Sequence, residues 1–304
     1  MQSTRDNKPE QSTGDIIKKI RRLELRTRRF VENAFSGQYH SVFKGRGMNF
    51  DEFRPYQIGD EIRTIDWNVT ARTGETYVRK YVEERELTVI LLVDLSASEG
   101  FGSRQASKRE IAAEAASLLA FCAIRNNDKV GLLLFTDRIE LFVPPRKGRT
   151  HTLRLIREIL YFEPEGRGTS LHGALTFLNR VTTRRAVVFL FSDFQDQGYE
   201  RPLAIASRRH DLIAVPMEDP GDLELPNVGI ISAVDPETGR RFQVNSADRR
   251  VRAAFSQAAE AYRRNRDHLL RQYSIDTVTL RTDQDYFPAL RAFFLRREKR
   301  MKTS

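Results

Sequence analysis

Three short apolar runs recur along the chain, at residues 87–93, 130–135 and 186–191, and longer segments separate them. The runs are continuously apolar rather than alternating, which is typical of strands buried on both faces of a parallel sheet. The intervening segments 107–125 and 171–181 carry apolar residues at helical spacing. This alternation predicts an α/β fold in which helices flank a mostly parallel central sheet.

The same two periodicities predict the remaining elements of the fold. They are strands at 77–83, 139–143, 211–215 and 275–280, helices at 150–160, 202–208, 247–272 and 286–297, and a hairpin at 228–234 and 241–244 whose turn is 236–239.

The region before residue 86 differs in composition from the rest of the chain. Residues 1–14 are polar and are predicted to form a disordered tail. Residues 15–35 combine apolar positions at helical spacing with many basic residues, which predicts a basic amphipathic helix. Residues 36–85 are rich in glycine and aromatic residues and are predicted to be an extended segment packed on the core, with Trp67 as a buried anchor. The α/β domain then spans 86–298.

The positive charge lies at the two ends of this sequence. Residues 15–29 and 291–302 each carry +5, which accounts for the whole net charge of +10. Basic segments of this kind are solvated helix faces, or they contact an acidic partner, nucleic acid or an anionic membrane surface. The narrow apolar face of the N-terminal helix favours packing on the body, and peripheral membrane contact stays an alternative.

Cysteine usage and hydropathy bear on where the protein works. The single cysteine, Cys122, excludes an intramolecular disulfide and a cysteine zinc site. The polar N-terminus does not resemble a secretory signal. The longest apolar run is much shorter than the about 20 residues that a transmembrane helix needs. These features predict a cytoplasmic protein without a transmembrane segment.

Carboxylate and hydroxyl side chains follow two of the predicted strands. Asp94, Ser96 and Ser98 alternate directly after the first apolar run, and Asp193 follows the third. Thr169 lies in a glycine-containing loop between them. Ligands of parallel α/β sheets bind at the carboxyl ends of the strands, so we expect these side chains to converge. Oxygen ligands of this type suit Mg²⁺ or Mn²⁺, and two carboxylates leave the ion able to accept an external acidic side chain.

This pattern resembles the metal-ion-dependent adhesion site of von Willebrand factor A domains, which have a Rossmann-like fold. The resemblance implies that Ser96, Ser98 and Thr169 coordinate the ion directly, and that Asp94 and Asp193 do so directly or through water. Many members carry a methionine after the second serine, where this chain has a glutamate. Glu99 is therefore expected to compete for the open coordination position or to contribute to partner binding.

Residues 45–72 resemble the signature of the bacterial family catalogued as domain of unknown function 58. Members of that family are commonly associated with MoxR-type AAA+ ATPases, which implies an adaptor in chaperone-like assembly or maturation. Arg54, Arg63 and Arg72 are candidates for docking the ATPase or its client. The alternative is that these charges belong to an internal network of ion pairs that fixes the segment to the domain.

Several enzyme signatures are missing from the sequence, including the phosphate-binding loop, the His-Glu-x-x-His zinc motif and the Gly-x-Ser-x-Gly elbow. We therefore predict a non-enzymatic, divalent-metal-dependent module that binds a protein through an acidic side chain. Two alternatives stay open. One is nucleic-acid binding through the basic ends, against which the neutral remainder argues. The other is a metal-dependent hydrolase that uses the same ion but has no evident general base.

Overall fold

The computed structural model describes residues 39, 42, 49–82, 86–100, 106–234 and 240–303. The predicted tail and basic helix, and the predicted hairpin turn at 236–239, lie outside the described residues. Within the described part of the chain, no helix is long and apolar enough to cross a membrane.

Most strands and helices follow the alternation read from the sequence, whereas the elements at Asn49–Pro55, Trp67–Thr73 and Pro220–Leu223 were not predicted. The strands are β1 (Asn49–Pro55), β2 (Tyr77–Val82), β3 (Thr88–Asp94), β4 (Lys129–Phe135), β5 (Ile139–Arg146), β6 (Val187–Ser192), β7 (Asp211–Glu218), β8 (Ile230–Val234), β9 (Arg241–Asn245), β10 (Asp276–Thr277) and β11 (Leu280–Arg281). The helices are α1 (Trp67–Thr73), α2 (Lys108–Arg125), α3 (Arg149–Tyr161), α4 (Leu171–Val181), α5 (Glu200–Arg209), α6 (Pro220–Leu223), α7 (Arg249–Gln272) and α8 (Tyr286–Thr303).

The central sheet has seven strands in the order β10-β7-β6-β3-β4-β5, with β11 also paired to β7. All neighbours are parallel except β4 and β5, which form an antiparallel edge. The predicted α/β class with a mostly parallel sheet is therefore confirmed. The segment predicted as one strand at 275–280 instead forms the two short strands β10 and β11, because only parts of it pair with β7.

Both faces of the sheet are covered, as the continuous apolar strands require. Alternate residues of β3 point to opposite faces. Leu91 belongs to a cluster with residues of α2 and α8, whereas Leu92 belongs to one with residues of α4 and α5. Helix α2 begins at a capping box, in which the Ser107 hydroxyl and the Glu110 carboxylate each accept a backbone amide of the other residue. Local signals in the sequence thus fix the elements that surround β3.

The N-terminal unit, residues 49–82, is a two-stranded antiparallel hairpin of β1 and β2 with α1 between the strands. Asp66 caps α1 by accepting the backbone amides of Asn68 and Val69. Trp67, predicted to be a buried anchor, is 66% exposed, so that prediction is wrong. The reason is that Trp67 opens a seven-residue helix with no buried residue, on a sheet of only two strands.

Candidate metal centre

The carboxyl ends of β3 and β6 lie side by side in the parallel sheet. Asp94 closes β3 and is 1% exposed. The Ser192 hydroxyl donates to Asp94 Oδ2 at 2.7 Å, and the Ser96 amide donates to Asp94 Oδ1 at 2.9 Å. One residue further, Asp193 is also buried. Strand register therefore brings together two carboxylates that are 99 positions apart in the sequence.

The predicted hydroxyl ligands lie on two loops that are joined by a backbone hydrogen bond. Ser96 and Ser98 flank the start of a short 3-10 helix, Ala97–Gly100, and their Oγ atoms are 3.1 Å apart. The Ala97 amide donates to the Arg167 carbonyl at 2.8 Å, which joins this turn to the loop that carries Thr169. Thr169 is half-buried there.

Gly166 allows the Thr169 loop to approach the end of β4 closely. A Cβ atom on Gly166 would lie 2.2 Å from the Thr136 hydroxyl oxygen and as close to the Asp137 carboxylate, so a larger residue would displace the loop. The Glu140 carboxylate accepts the Gly166 amide at 2.8 Å and anchors it. The next residue after Thr169, Ser170, caps α4 through its hydroxyl.

Asp193 is held by contacts that the sequence did not reveal. Its Oδ1 accepts the Gln195 amide at 3.1 Å, and its Oδ2 accepts the Lys108 ammonium at 3.1 Å. Lys108 is 1% exposed and also pairs with Asp222 Oδ2 at 2.8 Å. A lysine in the first turn of a helix is opposed by the helix dipole. The position of Lys108 in the first turn of α2, directly after Ser107, is therefore the one local signal in the sequence for an acidic partner.

Glu99 closes the cluster from the 3-10 helix. It is 1% exposed, and its Oε1 accepts the Asp193 amide at 2.9 Å. Its Oε2 has no hydrogen-bond partner among the described residues. Oxygen atoms of Asp94, Glu99 and Asp193 all lie within 4.8 Å of one another. Glu99 is thus part of the carboxylate cluster and does not lie on an accessible surface.

Burial dominates the electrostatics of this cluster. It raises the pKa of Asp94 to about 7, and the Asp193 charge adds to the shift. Burial followed by the Asp193 charge raises the pKa of Glu99 well above its usual range. Burial lowers the pKa of Lys108, but the carboxylates of Asp193, Glu99 and Asp222 outweigh it, so the pKa is raised and the ammonium stays charged. The cluster favours a bound proton or a bound cation.

The donor set fits a hard divalent cation. Three carboxylates and the hydroxyls of Ser96 and Ser98 are oxygen ligands of the kind that Mg²⁺ and Mn²⁺ prefer. The unpartnered, buried Oε2 of Glu99 is an independent sign, because a buried acceptor without a partner is costly. The residues present therefore fit the ion that the sequence predicted.

The other predicted binding residues lie outside the carboxylate cluster. Arg54 forms two hydrogen bonds with Asp60, at 2.6 and 2.8 Å, so one pair of the predicted internal network is present. Arg63 lies in a short 3-10 helix and Arg72 in α1, and both are exposed. Their role in partner binding stays a prediction.

The structure thus combines a mostly parallel sheet, helices on both of its faces and a cluster of oxygen atoms at its carboxyl edge. The family described as "Protein of unknown function DUF58" matches residues 52–265, and this chain belongs to that family. Uncharacterized proteins of Mycobacterium tuberculosis and Mycobacterium bovis are each 33% identical over 285 residues, covering 92% of this chain and 89% of the relative.

Solved structures with a similar fold are more distant. An aerotolerance-related membrane protein from Bacteroides fragilis is 16% identical, with a TM-score of 0.45, covering 70% of this chain and 99% of that chain. The VWA domain of SpRpn10 is 12% identical, with a TM-score of 0.37, covering 68% and 94%. Proximal thread matrix protein 1 from the mussel byssus, described with a zinc-occupied MIDAS motif, is 13% identical, with a TM-score of 0.35, covering 44% and 38%. These similarities carry no inference about function.

Proposed function

We propose that this protein is a non-enzymatic interaction module that captures a protein partner only when a divalent cation is bound. The observation that carries the proposal is the buried cluster of Asp94, Glu99 and Asp193, with Ser96 and Ser98 beside it. Its oxygen atoms lie at the carboxyl edge of the sheet, where ligands of α/β folds bind.

In this proposal Asp94, Asp193, Ser96, Ser98 and Thr169 hold Mg²⁺ or Mn²⁺. When bound, the ion supplies a coordination position that an acidic side chain of a partner can take. The protein's own groups orient the ligands, since fixed hydrogen bonds to metal-binding carboxylates set their direction.

Two residues outside the ligand set prepare the site. The Ser192 hydroxyl fixes one oxygen of Asp94 at 2.7 Å. The Lys108 ammonium offsets part of the negative charge by pairing with Asp193 and Asp222, which lowers the repulsion among the carboxylates while no ion is present.

For the partner we propose a MoxR-type AAA+ ATPase or its client, with this protein acting as an adaptor in assembly or maturation. The resemblance of residues 45–72 to the family signature supports this. The N-terminal unit also has three exposed apolar side chains, Ile58, Ile62 and Trp67. Together with Arg63 and Arg72 these side chains form the proposed docking surface for the ATPase.

The test is binding of a purified MoxR-type ATPase from the same organism to the immobilised full-length chain. We expect capture with Mg²⁺ or Mn²⁺, loss of capture with EDTA, and loss in the Asp94→Asn variant. The control is Glu260→Gln, which makes the same carboxylate-to-amide change at an exposed position of α7. Capture that is equal in EDTA and in Mg²⁺ would contradict a metal-dependent module.

The nucleic-acid alternative is weakened by the C-terminal basic segment. Arg297 pairs with Asp211 and Asp276, and Arg300 pairs with Asp276. Part of the positive charge that could bind the phosphate backbone of a nucleic acid therefore lies in ion pairs within the chain.

A further inference from the structure

Glu99 is held inside the carboxylate cluster by one hydrogen bond. Its Oε1 accepts the Asp193 amide at 2.9 Å, which ties the 3-10 helix after β3 to the end of β6. With one oxygen fixed in this way, the second oxygen has little freedom to leave the cluster. Its side chain is buried and lies within reach of the Asp94 and Asp193 carboxylates.

The second oxygen of Glu99 has no partner among the described residues. Asp94, by contrast, is hydrogen-bonded through both of its oxygens, and so is Asp193. A buried carboxylate oxygen without a donor costs free energy unless a proton or a cation supplies the missing contact. Glu99 is therefore the carboxylate of the cluster whose hydrogen bonding is incomplete.

The charge balance also favours a cation at this point. The Lys108 ammonium pairs with Asp193 and Asp222, and Asp193 lies in one cluster with Asp94 and Glu99. In the part of the chain that the structure describes, Lys108 is the one buried lysine. A divalent ion would offset much of the remaining negative charge of the carboxylates, and no charged group of a protein partner is needed for this.

We propose that Glu99 is a direct ligand of the divalent ion through Oε2. It thereby occupies, from within the chain, the coordination position otherwise left for an acidic side chain of a partner. This inference rests on the proposed function and adds its regulation, because the ion-bound protein alone is then in a self-ligated state. An acidic partner side chain must displace Glu99 to reach the ion.

The test is titration of the full-length protein with Mn²⁺ by calorimetry, in the wild type and in Glu99→Gln. Glutamine keeps the oxygen that accepts the Asp193 amide but removes the charge, so the turn is expected to fold. We expect the Mn²⁺ affinity to fall at least tenfold in Glu99→Gln and to be abolished in Asp94→Asn. Glu260→Gln is expected to bind as the wild type does, and thermal unfolding by circular dichroism checks that each variant is folded.

Water proton relaxation by the bound Mn²⁺ separates ligation from a simple charge effect. If Glu99 is a ligand, its loss lets water take the vacated position, and the relaxation rate per bound ion rises in Glu99→Gln. An affinity within twofold of the wild type, or a weaker affinity with an unchanged relaxation rate, overturns the ligand assignment and leaves the proposed function in place. No Mn²⁺ binding by the wild type overturns both.

Discussion

The carboxyl edge of the central sheet and the N-terminal unit (residues 49–82) place their charges in opposite environments. At the sheet edge Asp94 and Glu99 are buried, and burial raises the pKa of both carboxyls. In the N-terminal unit Asp60 lies near the surface, where its hydrogen bond from the Arg54 guanidinium lowers the pKa of the carboxyl. The same residue type is thus destabilised as an anion in one region and stabilised in the other.

Apolar side chains show the reverse distribution. They surround the sheet edge, where β3 and β6 are buried throughout most of their length. In the N-terminal unit Ile58, Ile62 and Trp67 are exposed. A buried site with uncompensated negative charge is suited to an ion, whereas an exposed apolar surface is suited to a macromolecule. In the proposed function, the sheet edge therefore binds the ion and the N-terminal unit docks the ATPase.

The largest expected effect on stability comes from removing the buried ammonium group of Lys108. We expect Lys108→Met to lower the free energy of unfolding in EDTA by about 3–5 kcal/mol, because it leaves the Asp193 and Asp222 carboxylates without the ammonium that they share. Urea unfolding measures this. The control Lys129→Met, which breaks an exposed pair with Glu86, should cost less than about 1 kcal/mol. Equal effects of the two variants would show that burial adds nothing to the contribution of the Lys108 ion pairs.

A bound ion should stabilise the fold next most strongly. At a Mn²⁺ concentration of 100 times the dissociation constant, we expect the free energy of unfolding to rise by about 2.7 kcal/mol. Thermal unfolding with and without EDTA measures it. Asp94→Asn should abolish the rise, and Trp67→Ser should leave it intact because Trp67 lies in the N-terminal unit. A rise that survives in Asp94→Asn would place the ion elsewhere.

The two regions should also respond to pH with opposite signs. In EDTA the native state keeps the Asp94 proton up to a pKa of about 7, whereas the unfolded chain releases it near 3.8. The Asp94 contribution to stability is therefore present below the unfolded value and is lost as the pH rises toward 7. The Asp60 contribution has the other sign, since its pKa is lowered, and it is lost as the pH falls below 3.8.

Urea unfolding from pH 4.5 to pH 8 in EDTA tests the Asp94 part of this prediction. The difference in stability between wild type and Asp94→Asn should change with pH across that window. A difference that stays constant would mean that Asp94 is ionised in the native state throughout.

The smallest expected effect on stability is that of Trp67→Ser. We expect a change within about 0.5 kcal/mol, because the side chain is exposed and contributes little to the fold. Capture of the MoxR-type ATPase should nevertheless weaken, since the variant removes the largest apolar group of the proposed docking surface. Unfolding and binding measured on the same preparation separate the two effects, and a large loss of stability would restore Trp67 as an anchor.

The fold followed closely from the sequence where the signals were local. The apolar run at residues 87–93 became β3, and the helix predicted at 107–125 became α2, with Ser107 as its cap. The N-terminal unit was harder to predict. Trp67 is an apolar residue, and burial is its ordinary state, but a short helix on two strands offers no second layer to cover it.

The site shows the same division. Asp94 and Asp193 were recognisable because each directly follows an apolar strand, and parallel strands end at one edge. Lys108 and Asp222 were not recognised as part of the site, since the residues that pair with them are far away in the sequence. Glu99 was recognised as a residue near the site, but its orientation depends on the Asp193 amide, 94 positions away.

The sequence by itself determined most strands and helices of the α/β domain and the two strand ends at which the acidic residues lie. Those features depend on periodicity and on capping, which act over a few residues. Only the tertiary structure decided that Glu99 and Lys108 are buried against Asp193 and that Trp67 is exposed. Burial and ion pairing depend on which elements pack together, and the Lys108–Asp193 contact joins residues 85 positions apart.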